Sequence, residues 1–175
     1  MKRAASIAVI GACLALAAAP GRVAAQSDEE KYPSIQEGPQ FVVDHWKYDP
    51  IVNVGTNPGL GWRGDFGFSR TLRAEMIGNL FKHSIPGASW ERTVYLEFAV
   101  SLLVTPWGVR RTWAPYFGGG WMQITTGGLE AGGAPFVLAG VRKPGRSWSP
   151  YLEAGLTTRG SRLSVTLGIL HRKAD

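Results

Sequence analysis

The sequence contains a single cysteine, Cys13, and that residue lies in a segment that we expect to be removed. Residues 1–25 combine a basic start, the apolar run IAVIGACLALAAA and a small-residue site, which together predict an export signal cleaved between Ala25 and Gln26. The exported chain would then have no disulfide and no thiol chemistry. Its remaining length of about 150 residues is enough for one domain without covalent cross-links.

Long apolar runs are also missing, since none reaches the about 20 residues that a transmembrane helix needs. A lone membrane anchor in residues 1–25 is therefore the less favoured alternative to a cleaved signal. No segment has a convincing helical period. From about residue 41, apolar and polar residues alternate in short pieces separated by Gly, Pro and Ser. That spacing predicts an all-β sandwich or barrel.

Several chemical signatures are absent from the sequence. It has no basic tract with interleaved aromatic residues, and removal of the signal lowers Lys plus Arg from 19 to 16 against 13 acids, a net charge of +3. His45 and His171 have no Cys or His neighbour at metal-ligand spacing. The glycines at 118–120 lack the Lys and Ser/Thr of a phosphate loop. We therefore expect no nucleic-acid partner, no metal and no cofactor.

The alternation predicts eight antiparallel strands, preceded by a flexible polar lead-in at 26–40 and followed by a short tail at 173–175. The first strand contains Asp49-Pro50, which we interpret as a kink, because a proline is tolerated at an edge or bulge. A true turn at that point would give nine strands. The predicted strands cover 41–57, 61–68, 71–81, 92–104, 115–124, 135–142, 150–158 and 161–172.

Each predicted strand has two unlike faces. In RTVYLEFAVSLLV, residues 92–104, every second residue from Val94 to Val104 is apolar, and Glu97 falls in the other set. Successive side chains in a strand point to opposite sides of the sheet, so Glu97 lies on a separate, more polar face. The charged residues that the same counting puts on the polar faces are Arg63, Asp65, Arg73, Glu75, Glu97, Glu153 and Arg162.

Two architectures fit these faces. A soluble barrel or sandwich turns its apolar face inward, whereas a membrane barrel turns it toward lipid. We favour the transmembrane β-barrel because acids and guanidinium groups can pair inside a narrow lumen. Glu75, Glu97 and Glu153 are accordingly interpreted as lumen ion-pair partners and not as acid–base catalysts.

Tryptophan is concentrated toward strand ends and connections. Trp and Tyr gather at membrane–water boundaries because one side of the ring system is apolar and the other forms hydrogen bonds. The tryptophans that we predict at this boundary are Trp46, Trp62, Trp90, Trp107, Trp113 and Trp148.

The export signal, the strand count, PYFGGGW at 115–121 and the closing hairpin SPYLEAGLTTRGSRLSVTLGIL at 149–170 resemble the small outer-membrane β-barrel family. Its typical members are OmpX and the transmembrane domain of OmpA. The resemblance implies an up-and-down barrel in a bacterial outer membrane with both termini on the periplasmic side. The partners that it implies are outer-membrane lipid or lipopolysaccharide and the barrel-insertion machinery, and the protein would be a monomer that binds no nucleic acid.

A non-enzymatic role follows from this prediction, in envelope integrity or in surface contact through the loops, with the lumen filled by side chains. One alternative is a lipid A-modifying barrel enzyme, suggested only by His83-Ser84, whose adjacent positions point to opposite sides of a strand. The other is a soluble periplasmic carrier of the lipocalin type. Its Gly-x-Trp signature belongs on the first strand, but here Gly119-Gly120-Trp121 lies in the middle of the chain.

Overall fold

A computed structural model describes residues 33–48, 53–84, 92–106, 113–126, 132–145, 147–157 and 162–172. The predicted signal segment with its Ala25–Gln26 cleavage site, most of the lead-in and the tail at 173–175 lie outside the described residues. The strands are β1 Ser34–Tyr48, β2 Asn53–Gly67, β3 Leu72–Ser84, β4 Arg92–Val104, β5 Ala114–Thr126, β6 Gly132–Arg142, β7 Trp148–Thr157 and β8 Arg162–Arg172.

The eight strands form one closed antiparallel barrel, in which each strand pairs with its sequence neighbours and β1 also pairs with β8. The predicted all-β up-and-down barrel is confirmed. The tilt can be measured by going from each residue to its paired residue on the next strand, once around the barrel. From Ser34 the paired residues are, in order, Gly67, Arg73, Leu103, Gly118, Leu138, Gly155, Ser164 and Asp44. The path returns to β1 ten residues beyond its start, so the strands are tilted and the barrel has a shear of 10.

The first two strands differ from the prediction although their number is right. β1 begins at Ser34, so residues 34–40 of the predicted lead-in are part of the sheet. Asp49-Pro50 falls between β1 and β2, not within one kinked strand, and the predicted strands 41–57 and 61–68 share the single long strand Asn53–Gly67. Glycines and Pro58 near the start of this strand interrupt the alternation of apolar and polar residues. The prediction therefore did not place the start of β2 at Asn53.

Both prolines of these strands pair with a neighbouring strand on one side only. Pro58 precedes the ladder between β2 and β3, whose first pair is Gly59 with Phe81. Pro39 pairs with Trp62 on one side and lies in a gap of the ladder between β1 and β8 on the other. Proline is tolerated in a strand only where its nitrogen is not needed as a donor.

The barrel is more polar inside than outside. Asp44 and Arg63 point inward and are buried, with 0% and 1% of their surface exposed, whereas Leu60 and Met76 point outward and are 67% and 71% exposed. Buried apolar side chains fill the remaining inner space in two clusters, one around Leu103 and Phe136 and another of Val42, Phe81 and Tyr95. Among the described residues, no helix is long and apolar enough to cross a membrane.

Candidate functional site

All seven charged residues that the sequence analysis assigned to the polar faces lie on the inner wall and are buried. They come from five strands and form three groups along the lumen. We name the barrel end where β1 begins and β8 finishes the N-terminal end, and the opposite end the far end. The predicted charged interior is therefore present, and its pairing is as follows.

The group at the N-terminal end is centred on Asp65. Arg73, two positions into β3, donates from Nε to both Asp65 carboxylate oxygens at 2.9 Å and also pairs with this carboxylate through Nη2. Arg142, the last residue of β6, adds its Nη1 to Asp65 Oδ2 at 3.3 Å. Two guanidinium groups thus share the Asp65 carboxylate.

The central group is centred on Arg63. Its two terminal nitrogens bind both oxygens of Glu153, at 2.9 and 2.7 Å, and its Nη1 also pairs with Glu75 at 3.1 Å. Tyr116 donates to Glu153 at 3.0 Å and Ser101 donates to Glu75 at 3.3 Å. These hydroxyls compensate for the second carboxylate, because a buried acid needs hydrogen bonds as well as an opposite charge.

The far-end group is centred on Arg162. This guanidinium pairs with Glu97 and, through Nη2 at 2.9 Å, with Asp44. The Tyr95 hydroxyl donates to Asp44 at 2.5 Å, and the Tyr95 ring stacks on Phe81 with centroids 4.7 Å apart. The Arg162 guanidinium also lies over the Phe81 ring, so apolar and charged groups close this end of the lumen together.

Two neutral amides connect the central and far-end groups. Gln40 Oε1 accepts from Arg63 Nε at 3.1 Å and from the Tyr151 hydroxyl at 2.6 Å. Gln40 Nε2 donates to Asn79 Oδ1 at 2.6 Å, and Asn79 Nδ2 donates to Glu97 at 2.8 Å. A continuous chain of hydrogen bonds therefore runs from the middle of the barrel to its far end.

Sequence analysis missed several members of these groups. Asp44 was overlooked because its strand was wrongly bounded, and Arg142 because it is the last residue of its predicted strand, 135–142. In the structure Asp44 shares parity with Gln40, and Arg142 with Leu138, on inward faces. Alternation could not show this for Arg142, because both faces of residues 135–141 are apolar or glycine. Tyr95 shares parity with Glu97, and Tyr151 with Glu153, so counting by two puts both tyrosines on the polar faces. Tyr116 lies in a strand that is too rich in glycine to assign by pattern.

Two small cavities lie between the charged groups of the described lumen. One cavity of about 10 Å³ lies between the N-terminal-end and central groups, against Asp65, Arg73 and Glu75. A second, of about 20 Å³, lies between the central and far-end groups, near Asn79 and Phe136. Each has room for about one water molecule. Neither of these cavities has room for a substrate larger than a water molecule.

In sequence, no family model and no curated protein matches the chain. Solved structures do match. OprG, an outer membrane protein of Pseudomonas aeruginosa, superposes with a TM-score of 0.59 at 10% identity over 83% of this chain and 98% of its own. Ail, the attachment invasion locus protein of Yersinia pestis, gives 0.53 at 11% identity, over 82% and 100%. Neisserial surface protein A gives 0.53 at 12% identity, over 79% and 97%.

The chain has the small outer-membrane barrel fold. At these identities the likeness establishes the fold alone and not a shared ligand or activity. It agrees with the resemblance inferred from the sequence, and it leaves the role of this chain to be argued from its own surfaces.

Three of the six tryptophans predicted at the boundary have described side chains, and all three point outward. Trp113 and Trp148 lie at the N-terminal end, 51% and 53% exposed. Trp62 is not at a strand end, because β2 starts at Asn53 and places it nearer the middle of the strand. Trp46 lies in β1, while Trp90 and Trp107 fall outside the described residues. Trp121, which was not among the six, is also outward and 51% exposed.

Two of the three histidines, His45 and His171, have described side chains, and each contacts one neighbouring residue. His83 and Ser84 are the last two residues of β3, which continues beyond the end predicted at residue 81. His45 Nδ1 lies 3.3 Å from Thr56 Oγ1, and the His171 ring packs on Trp148 with centroids 4.5 Å apart. The described residues contain no cluster of three potential metal ligands.

Proposed function

We propose that the protein is a non-enzymatic bacterial outer-membrane barrel whose lumen is plugged by its own side chains. Its role would be in envelope integrity or in contact at the cell surface through its loops. The observation that carries this proposal is the inverted distribution of polarity, with Arg63 and Asp44 buried inside and Leu60 and Met76 exposed outside.

The apolar side chains on the outer face of the barrel are the reason for proposing a membrane location. β4 alone exposes Val94, Leu96, Phe98, Val100, Leu102 and Val104 on one side. A side chain of this size that stays in water forgoes about 1.5–3 kcal/mol of burial free energy. Lipid removes that cost for the whole belt, and the closed sheet satisfies the backbone hydrogen bonds that lipid cannot.

The inner face explains why the lumen is not proposed as a transport route or a binding site. The two cavities between its charged groups have room for about one water molecule each. A carrier of the lipocalin type would need an apolar cup, and the Arg63 and Arg162 groups occupy that space. Contact with partners is therefore assigned to the loops and the outer belt. The name of neisserial surface protein A and the attachment locus of Ail support this assignment.

Membrane fractionation combined with a heat-shift gel tests the proposal. We expect the processed protein, beginning at Gln26, in the outer-membrane fraction, and faster migration of the unboiled than of the boiled sample. Recovery of the protein in a detergent-free periplasmic extract would contradict the membrane assignment. A change in lipid A on overexpression that disappears in a His83→Ala variant would contradict the non-enzymatic one.

A further inference from the structure

One nitrogen of a lumen arginine is not paired with any side chain of the described lumen. Arg73 binds Asp65 through its Nε and Nη2 atoms. Its third nitrogen, Nη1, is buried and has no hydrogen-bond partner in the described part of the chain. The residue as a whole is only 2% exposed. A buried donor that is left unpaired loses its hydration without compensation, so a group of this kind points to a bound molecule at the site.

A small cavity lies against this arginine. Arg73 lines the cavity of about 10 Å³ between the N-terminal-end and central groups, which we name the Arg73 cavity. Nη1 is the nitrogen remote from the edge of the guanidinium group that holds Asp65. The cavity also borders acceptors, because Asp65 and Glu75 are in its wall. Glu75 Oε2 receives a long hydrogen bond of 3.3 Å from Ser101, and a carboxylate oxygen can accept a second one.

The mixture of donors and acceptors in the wall selects one kind of occupant. A monatomic anion would accept from Arg73 but would also lie against the carboxylates of Asp65 and Glu75. A cation would lie against the guanidinium groups of Arg63 and Arg73. Water can accept from the arginine and donate to a carboxylate at the same time. A polar cavity of this volume with at least two hydrogen-bonding partners fits one water molecule.

We propose that the Arg73 cavity binds one water molecule, which accepts a hydrogen bond from Arg73 Nη1 and donates one to Glu75 Oε2. This water links the N-terminal-end group to the central group, as Gln40 and Asn79 link the central group to the far-end group. The three groups then form one hydrogen-bonded network along the described lumen. Arg63 lines both cavities, so its ion pairs lie between this water and the second cavity.

Solid-state NMR of the full mature protein in phosphatidylcholine vesicles tests the site. Labelling with ¹³C and ¹⁵N assigns each guanidinium group through the carbons of its own side chain. Magnetisation transferred from water protons to the Nη signals then identifies the arginines that have water within hydrogen-bond distance. Arg70 is exposed and serves as the internal positive reference. We expect transfer to Arg73 as well, although this residue is buried.

Two alanine variants locate the water. Ala114 is buried in the wall of the Arg73 cavity, and Ala114→Val adds two methyl groups there, so the transfer to Arg73 should be lost. Ala139→Val is the matched control, because Ala139 has the same parity in β6 as the outward Val137, and it should leave the transfer unchanged. The measurement on native protein needs no variant, so it decides even if Ala114→Val does not fold.

Three results would overturn the proposal. The first is no transfer to Arg73 in native protein at mixing times that give transfer to Arg70. The second is transfer that persists in Ala114→Val, since the water would then lie elsewhere. The third is a shift of the Arg73 Nη signals when chloride is replaced by bromide, which would indicate a halide in the cavity. A heat-shift gel of the same sample tests the membrane barrel separately, so a heat shift without transfer to Arg73 contradicts only the water site.

Discussion

Gln40 Nε2 donates a hydrogen bond of 2.6 Å to Asn79 Oδ1, and this contact connects the central group of charges to the far-end group. On one side Gln40 accepts from Arg63 and Tyr151; on the other Asn79 donates to Glu97. The neutral amide pair therefore connects two ion-pair groups by hydrogen bonds. It adds no buried charge that would itself need a partner.

Gln40→Leu should destabilise the barrel by about 1–3 kcal/mol, because it leaves the buried Tyr151 hydroxyl and Asn79 Oδ1 without partners. Urea unfolding of vesicle-folded protein measures the loss. Tyr151→Phe is the matched second variant, since it removes one of these groups. The double variant should therefore lose less than the sum of the two single losses. Strict additivity would show that the hydroxyl is not coupled to Gln40.

Arg63→Met should cost about 3–5 kcal/mol, because Glu75 and Glu153 would remain buried beside each other without their shared cation. The triple variant R63M/E75Q/E153Q keeps similar volumes and removes both charges. It should regain most of the loss when compared by the same unfolding measurement. If the triple variant were as unstable as Arg63→Met, packing around the side chain and not uncompensated charge would be the cause.

How far the sequence predicts this site depends on strand boundaries. Glu97 lies in a strand whose bounds were predicted correctly, at 92–104, and period-two counting was enough to place it inside. Asp44 lies in a strand that we joined to the next one across Asp49-Pro50, and it was missed for that reason. Local alternation therefore predicts the face of a residue only once the ends of its strand are known.

The partners of each charge could not be predicted from alternation. Arg63 and Glu153 are 90 residues apart, and their contact depends on the closure of the barrel and on the tilt of its strands. Neither property is local, because the shear of a barrel is set by all eight registers together. The tyrosine donors illustrate the same limit, since only the closed lumen decides that Tyr116 reaches Glu153.

Gly140→Ala should destabilise the barrel by about 1–3 kcal/mol, the usual cost of overpacking. A Cβ at this inward position would come within 2.7 Å of the Tyr116 ring and hydroxyl and of the Leu152 carbonyl oxygen. Gly64→Ala is the matched control, because a Cβ there meets nothing within 4 Å. It should be neutral or slightly stabilising. Chemical unfolding of both variants compares the positions directly, and equal losses would show that Gly140 is not needed for the packing of Tyr116.

The lipid-facing belt can be tested by one substitution made at two depths. Phe98 is the central residue of β4 and 55% exposed, whereas Phe68 follows β2 at the N-terminal end and is 50% exposed. Phe98→Arg should cost about 2–4 kcal/mol in vesicles, because the charge would sit near the middle of the hydrocarbon, and Phe68→Arg only about 0–1 kcal/mol for the charge.

Phe68 also makes an edge contact with the Phe66 ring, at 4.8 Å between centroids. Loss of this ring contact can only increase the free-energy cost of Phe68→Arg. It therefore reduces the expected difference between the two variants, and a larger cost for Phe98→Arg cannot result from it. Urea unfolding in vesicles gives both values. If Phe98→Arg were no more costly than Phe68→Arg, the outer face of β4 would not lie in hydrocarbon. The inverted polarity of the barrel would then need a protein partner, and not lipid, to cover its apolar side.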